Sequence, residues 1–110
     1  MRLIRLEDIK LFAIVSRNNL PDGDPSEQLD EGTPYQAIVQ YLDDSVSVAI
    51  YGANVNKTYR IETLHNELEK FLLPKINNKP DNLSNYLIEY NGNKMKLLRV
   101  TPKYIDISWR

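Results

Sequence analysis

Five carboxylates, Asp22, Asp24, Glu27, Asp30 and Glu31, fall within ten residues of one another with no basic side chain between them. Side chains of this type and spacing could hold a divalent cation or meet a cationic surface. The start of the run, DGDPSE, puts Asp22, Asp24 and Ser26 at the first, third and fifth positions of a calcium loop. The rest departs from that pattern, because Glu27 stands where the loop needs Gly and Thr33 where it needs a bidentate Glu. The run therefore points away from metal and toward a macromolecule. Carboxylates this dense repel one another, so a basic protein surface would relieve repulsion as well as add attraction. The competing role for such charge is solubility alone.

Other chemistry is thinly represented. His65 is the only histidine and there is no cysteine, which excludes thiolate zinc sites, disulfides and a cysteine nucleophile. By helical angle His65 sits beside Leu64 and Leu68, where a neutral imidazole packs at a core boundary. No serine lies in a nucleophile motif with it. The four glycines, Gly23, Gly32, Gly52 and Gly92, are isolated, so no phosphate loop exists. Asp43 and Asp44 read as turn residues rather than an acid and base pair. The expectation is a protein that is not an enzyme and has no cofactor or metal.

Seven tyrosines and Trp109 raise a second reading, stacking platforms for single-stranded nucleic acid, with Lys94, Lys96, Lys103 and Arg110 as a modest basic strip. Phosphate neutralisation dominates nucleic-acid affinity, and the acidic run opposes it. Nucleic acid is thus the alternative to a protein partner.

These residues need elements to place them. Tyr35–Leu42 and Ser45–Tyr51 flank Asp43-Asp44 and read as a hairpin with Tyr41 opposite Val46, Val39 opposite Val48 and Ala37 opposite Ile50. YLIEY and KMKLLRV flank Asn91-Gly92, the strongest short-range hairpin signal, with Ile88 opposite Met95, Tyr86 opposite Leu97, and Glu89 opposite Lys94. YIDISW alternates as a further strand, placing Ile105, Ile107 and Trp109 on one side. In YRIETLHNELEKFLL, Ile61, Leu64, Leu68, Phe71 and Leu72 recur at helical spacing, with Thr58 as N-cap and Pro74 as stop. Residues 8–16 read as a strand buried on both sides, with a short helix as rival. NNKPDN is a connector.

The resulting fold class is α+β: a β-rich single domain over residues 1–110, with five to six mostly antiparallel strands, two hairpins among them. One amphipathic helix lies between the third and fourth strands, and a long acidic loop spans about residues 17–34. One helix covers only one face of such a sheet, so the sheet must curl into a small OB-like barrel or leave a face, or an exposed edge, for a partner or a second copy.

Composition supports an ordinary globular chain, with 42% hydrophobic and 26% charged residues. Charge is unevenly distributed. Residues 18–56 carry seven acids and no base, whereas residues 57–110 carry ten bases and six acids. Glu7, Asp8 and Lys10 interrupt the apolar N-terminal stretch, so the expectation is a soluble, cytoplasmic protein with no membrane span. Eleven Asn beside many Lys, Ile and Tyr suggest an AT-rich genome, such as that of a low-GC bacterium or its phage. The expected function is a protein-binding module (inhibitor, immunity-type antagonist, phage or viral accessory factor, or assembly subunit), with the five carboxylates as its contact.

Overall fold

The computed structural model describes residues 5–19, 25–42, 49–51, 57–76 and 80–109. Its strands are β1 (Glu7–Asn19), β2 (Pro25–Leu29), β3 (Thr33–Leu42), β4 (Thr58–Thr63), β5 (Tyr86–Tyr90), β6 (Asn93–Val100) and β7 (Ile105–Trp109). A helix, α1 (Glu67–Ile76), lies between β4 and β5, preceded and followed by the 3-10 turns Leu64–Asn66 and Pro80–Asn85.

Six strands close a barrel. The order runs β1-β3-β4-β7-β6-β5, and β5 returns to β1 by pairing Tyr90 with Ile9 and Leu87 with Phe12. Every pair is antiparallel. Closure removes the free edges that a sheet of this size would otherwise present. The order, with the helix between the third and fourth barrel strands, matches the small OB-like barrel expected of the sequence.

Alternation explains the core. Ile9 and Leu11 on β1, Ala37 on β3, Ile61 on β4, Ile88 on β5, Met95 and Leu97 on β6, and Ile105 and Ile107 on β7 are buried together. The helix adds Leu68, Leu72 and Ile76 to the same cluster, so it stoppers one end of the barrel. At roughly 1.5–3 kcal/mol per fully buried aliphatic side chain, this cluster supplies the main favourable term in folding.

The Asn91-Gly92 hairpin forms as expected. Asn91 and Gly92 both take positive φ (54° and 82°), Ile88 faces Met95, and Glu89 faces Lys94 with an ion pair of 3.5 Å. The residue 8–16 segment is a strand rather than a helix, and continues to Asn19.

Four expectations are corrected. Beyond Leu42 the hairpin at Asp43-Asp44 falls in residues 43–48, outside the described residues, and Ala49–Tyr51 forms a helical turn rather than a strand. The partner of β3 is β4 instead, with Tyr41 opposite Tyr59, Val39 opposite Ile61 and Ala37 opposite Thr63. The helix also starts later than its apolar spacing implies. Thr58 begins β4, and Ile61 is a barrel residue, because β4 gains hydrogen-bonded neighbours on both edges, β3 and β7, that an isolated helical turn cannot offer. Thr58, Tyr59, Ile61 and Thr63 are also β-branched or aromatic, and α1 begins only at Glu67. Pro74 lies inside its last turn instead of ending it. His65, expected at a core boundary, is exposed with φ 56°.

Candidate functional site

The acidic run is not a structureless loop. β2 pairs with the distal half of β1, Asn19 opposite Pro25 and Ser16 opposite Gln28, along the edge of β1 that β3 occupies lower down, Leu11 opposite Thr33 and Glu7 opposite Ala37. β2 and β3 are therefore one strand interrupted by Asp30–Gly32. Together with β1 they form a ribbon whose base belongs to the barrel and whose outer half projects from it.

Two irregularities mark where the ribbon leaves. On β1 the register steps between Ile14 and Ser16, leaving Val15 as an extra residue that is 63% exposed. On the other strand the step is taken up by Asp30–Gly32. From Ile14 to Asn19 the arm spans roughly 17 Å at about 3.3 Å per residue. It accords with an elongated molecule of 57 × 31 × 30 Å.

Asp30 fastens this junction. Its Oδ1 accepts hydrogen bonds from the backbone N–H of Ala13 (2.9 Å) and of Gly32 (3.1 Å), while its own N–H donates to the Ala13 carbonyl (3.0 Å). A carboxylate is the natural acceptor for two converging backbone donors. Gly32 must be glycine for two reasons. Its φ is +80°, and a Cβ there would stand 2.6 Å from Lys10 Cε and 2.8 Å from Phe12 Cε1.

The five sequence-predicted carboxylates thus separate. Asp22 and Asp24 lie outside the described residues, in the connection between β1 and β2. Glu27 is on β2, opposite Arg17 in the register, so a base lies across the ribbon from the acidic run even though none lies within it. Asp30 is committed to the arm's base, and Glu31 beside it is exposed. Among the described residues no group of three or more His, Asp or Glu is placed to hold a metal ion.

A second polar constellation escaped the sequence reading. Asp106, on the outer side of β7, is wholly buried. It accepts from Arg60 Nε (2.9 Å) and Nη2 (3.1 Å), and from the Tyr51 hydroxyl. The Arg60 guanidinium lies 3.9 Å from the centre of the Tyr104 ring, and Arg99 lies 5.6 Å from that of Tyr51. Burial, then the hydrogen bond and charge of Asp106, hold the Tyr51 phenol far above its ordinary range, and the bond to Asp106 raises Arg60. This network fastens the Ala49–Tyr51 turn over the outside of β4 and β7. Its charges satisfy one another, so it acts as a clasp between the turn and the sheet.

Aromatic side chains line the barrel end opposite the helix. Tyr41, Tyr59 and Tyr90 meet edge to face with ring centres 5.3 Å apart in each pair, and the Tyr90 hydroxyl donates to Glu7 at 3.1 Å. Tyr59 and Tyr90 are partly buried against the core, while Tyr41 reaches solvent. Tyr59 and Tyr90 thus fill core volume and engage each other, and of the three rings Tyr41 is the one presented to solvent.

The chain matches no known protein family, no curated protein and no solved structure. Its functional reading therefore stands on its own geometry. No helix among the described residues is long and apolar enough to cross a membrane.

Proposed function

We propose that the protein is a non-enzymatic binding module that presents its acidic ribbon arm to a basic surface of a protein partner, in the manner of an inhibitor, antagonist, accessory factor or assembly subunit. One observation carries the reading. The segment richest in carboxylates is the segment that projects from an otherwise closed barrel, since β2 continues β3 along β1 beyond the last barrel pairing. A two-stranded ribbon buries little and contributes little to the stability of the domain, so its sequence is free to serve contact. Glu27, Glu31, Asp22 and Asp24 supply the charge, and Asp30 sets the direction in which the arm leaves.

Single-stranded nucleic acid is the alternative, supported by exposed Lys94, Lys96 and Arg99 along β6. Lys94 is paired with Glu89, and Arg99 lies over Tyr51, which reduces what they offer to phosphate. Titrating labelled single-stranded DNA and RNA at about 50 and 200 mM salt separates the two readings, because phosphate contacts lose affinity steeply over that range. The proposal expects weak, non-saturating binding at both. Tight, salt-sensitive binding would transfer the function to the β6 face.

A further inference from the structure

Beside the base of the arm, a groove of about 360 Å³ runs over the outside of β3, lined by Asp8, Pro34, Tyr35, Gln36, Leu64 and Glu67. A second groove, about 490 Å³, shares Asp8 and Pro34 with it and extends to Glu31 and Gly32, so the two form one channel that ends where the arm begins. Pro34 and Leu64 give the first groove an apolar part. Leu64 is 47% exposed, and Ile38 on the same outer side of β3 is also solvent-accessible. The rim is acidic: Asp8, Glu67 and Glu31 are exposed, as is Glu62 opposite Ile38. Asp8, Glu67 and Glu31 take part in neither ion pair found among the described residues, Arg60 with Asp106 and Lys94 with Glu89. Lys10 is the base that lines the second groove, and its ammonium lies 5.4 Å from the centre of the Phe12 ring.

Resting on the reading of the arm as a contact for basic protein, we propose that this groove takes a short cationic segment of the same partner, with an apolar side chain against Leu64 and Pro34 and a Lys or Arg between Asp8 and Glu67. Three features fit that occupant. Apolar surface flanked by carboxylates complements a segment that alternates basic and apolar residues. The rim repels phosphate, which disfavours nucleic acid in this channel. Glu67 lies close enough to Tyr35 that its charge, after burial, helps to raise the phenol, so the carboxylate acts within the groove itself. The groove and arm are contiguous through Glu31, so one basic partner surface can reach both.

The experiment uses the full chain, labelled with 15N, and the synthetic peptides Ac-KLRK-NH2, Ac-KSRK-NH2 and Ac-ELDE-NH2. Titration with Ac-KLRK-NH2 is expected to give saturable amide shifts centred on Tyr35, Gln36, Leu64 and Glu67. The serine peptide should bind several-fold more weakly, and the acidic one should leave these amides unshifted. Because Asp8, Leu64 and Glu67 are exposed, the variant D8N/L64S/E67Q should keep the wild-type spectrum elsewhere and weaken Ac-KLRK-NH2 about fivefold or more, as loss of two exposed ion pairs and an apolar contact requires. Shifts confined to residues 25–31, or equal affinity for the leucine and serine peptides, would overturn the groove while leaving the arm as the contact. Loss of peptide shifts in D22N/D24N/E27Q with the groove intact would do the same. Groove shifts that persist in that arm variant support the groove even where the arm contributes nothing.

Discussion

Gly32 and Gly92 share almost the same backbone angle, φ +80° and +82°, yet their surroundings differ. A Cβ at Gly92 meets nothing within 4 Å, whereas one at Gly32 collides with the aliphatic stem of Lys10 and the ring of Phe12. Gly92→Ala should therefore cost about 1 kcal/mol, the backbone term alone, and Gly32→Ala roughly 2–3 kcal/mol, which denaturant melts would separate. Asp30→Ala leaves the Ala13 and Gly32 amides without their shared acceptor and should cost about 1–2 kcal/mol, tempered by the exposure of the site. Tyr51 makes a prediction in pH. A phenol whose folded pKa lies above its unfolded value near 10 keeps its proton when the unfolded chain has lost it, so its stabilisation is whole below about pH 10 and declines as pH rises beyond. Urea melts at pH 8 and 10.5 should show a loss of stability at the higher pH, and Tyr51→Phe should lose less. An equal loss in the variant would place the alkaline sensitivity at Tyr35 or Tyr90, whose phenols burial also raises. Asp106 was not legible in YIDISW, where alternation assigns an Asp to the outer, solvated side. Its arginine partner lies 46 residues away in the chain and its tyrosine partner 55, so only the pairing of β4 with β7, which sets Arg60 opposite Asp106, and the seat of the Ala49–Tyr51 turn bring the three together.

Elements were legible where their cause is local. Asn91-Gly92 specifies its own turn, and the register of β5 on β6 follows from it, down to the pairing of Glu89 with Lys94. β4 was not, because Ile61, Leu64 and Leu68 recur at helical spacing and only the two flanking strands decide that Ile61 belongs to the barrel. The arm hid for a different reason. SRNN and PSEQL hold hardly an apolar residue, so neither strand carries the alternation by which strands are read. The same lack of apolar side chains makes the arm separable. Replacing residues 15–29 by Asn-Gly should leave the barrel's melting temperature within a few degrees of wild type, because among the described residues the core cluster contains none from that segment. A loss of cooperative unfolding would show that the arm is part of the folding unit. Hydrogen exchange should report the same boundary, with the Ala13 amide, bonded to Asp30, protected well beyond those of residues 16–19.

For the molecule as a whole, closure and charge explain each other's placement. A barrel that pairs all six strands and stoppers one end with α1 leaves few open backbone groups, and under the proposed function contact passes to what projects. Of the seven acids that the sequence places over residues 18–56 without a base, Glu27, Asp30 and Glu31 lie among the described residues, on the arm and at its base, and Asp8 and Glu67 from other segments adjoin them along the groove. Such a field acts first on encounter, steering a basic partner before short-range contacts form. The central claim is therefore kinetic, and the association rate with the captured partner tests it most directly. The comparison is between wild type and D22N/D24N/E27Q/E31Q, with Asp30 kept because it holds the arm's base, at about 50 and 500 mM salt. The account predicts an on-rate for wild type that falls about tenfold or more as salt rises, and a variant that folds normally, associates about tenfold more slowly at low salt and shows little salt dependence. Equal on-rates for the two proteins at both salt concentrations would contradict it, and the arm's charge would then serve solubility alone.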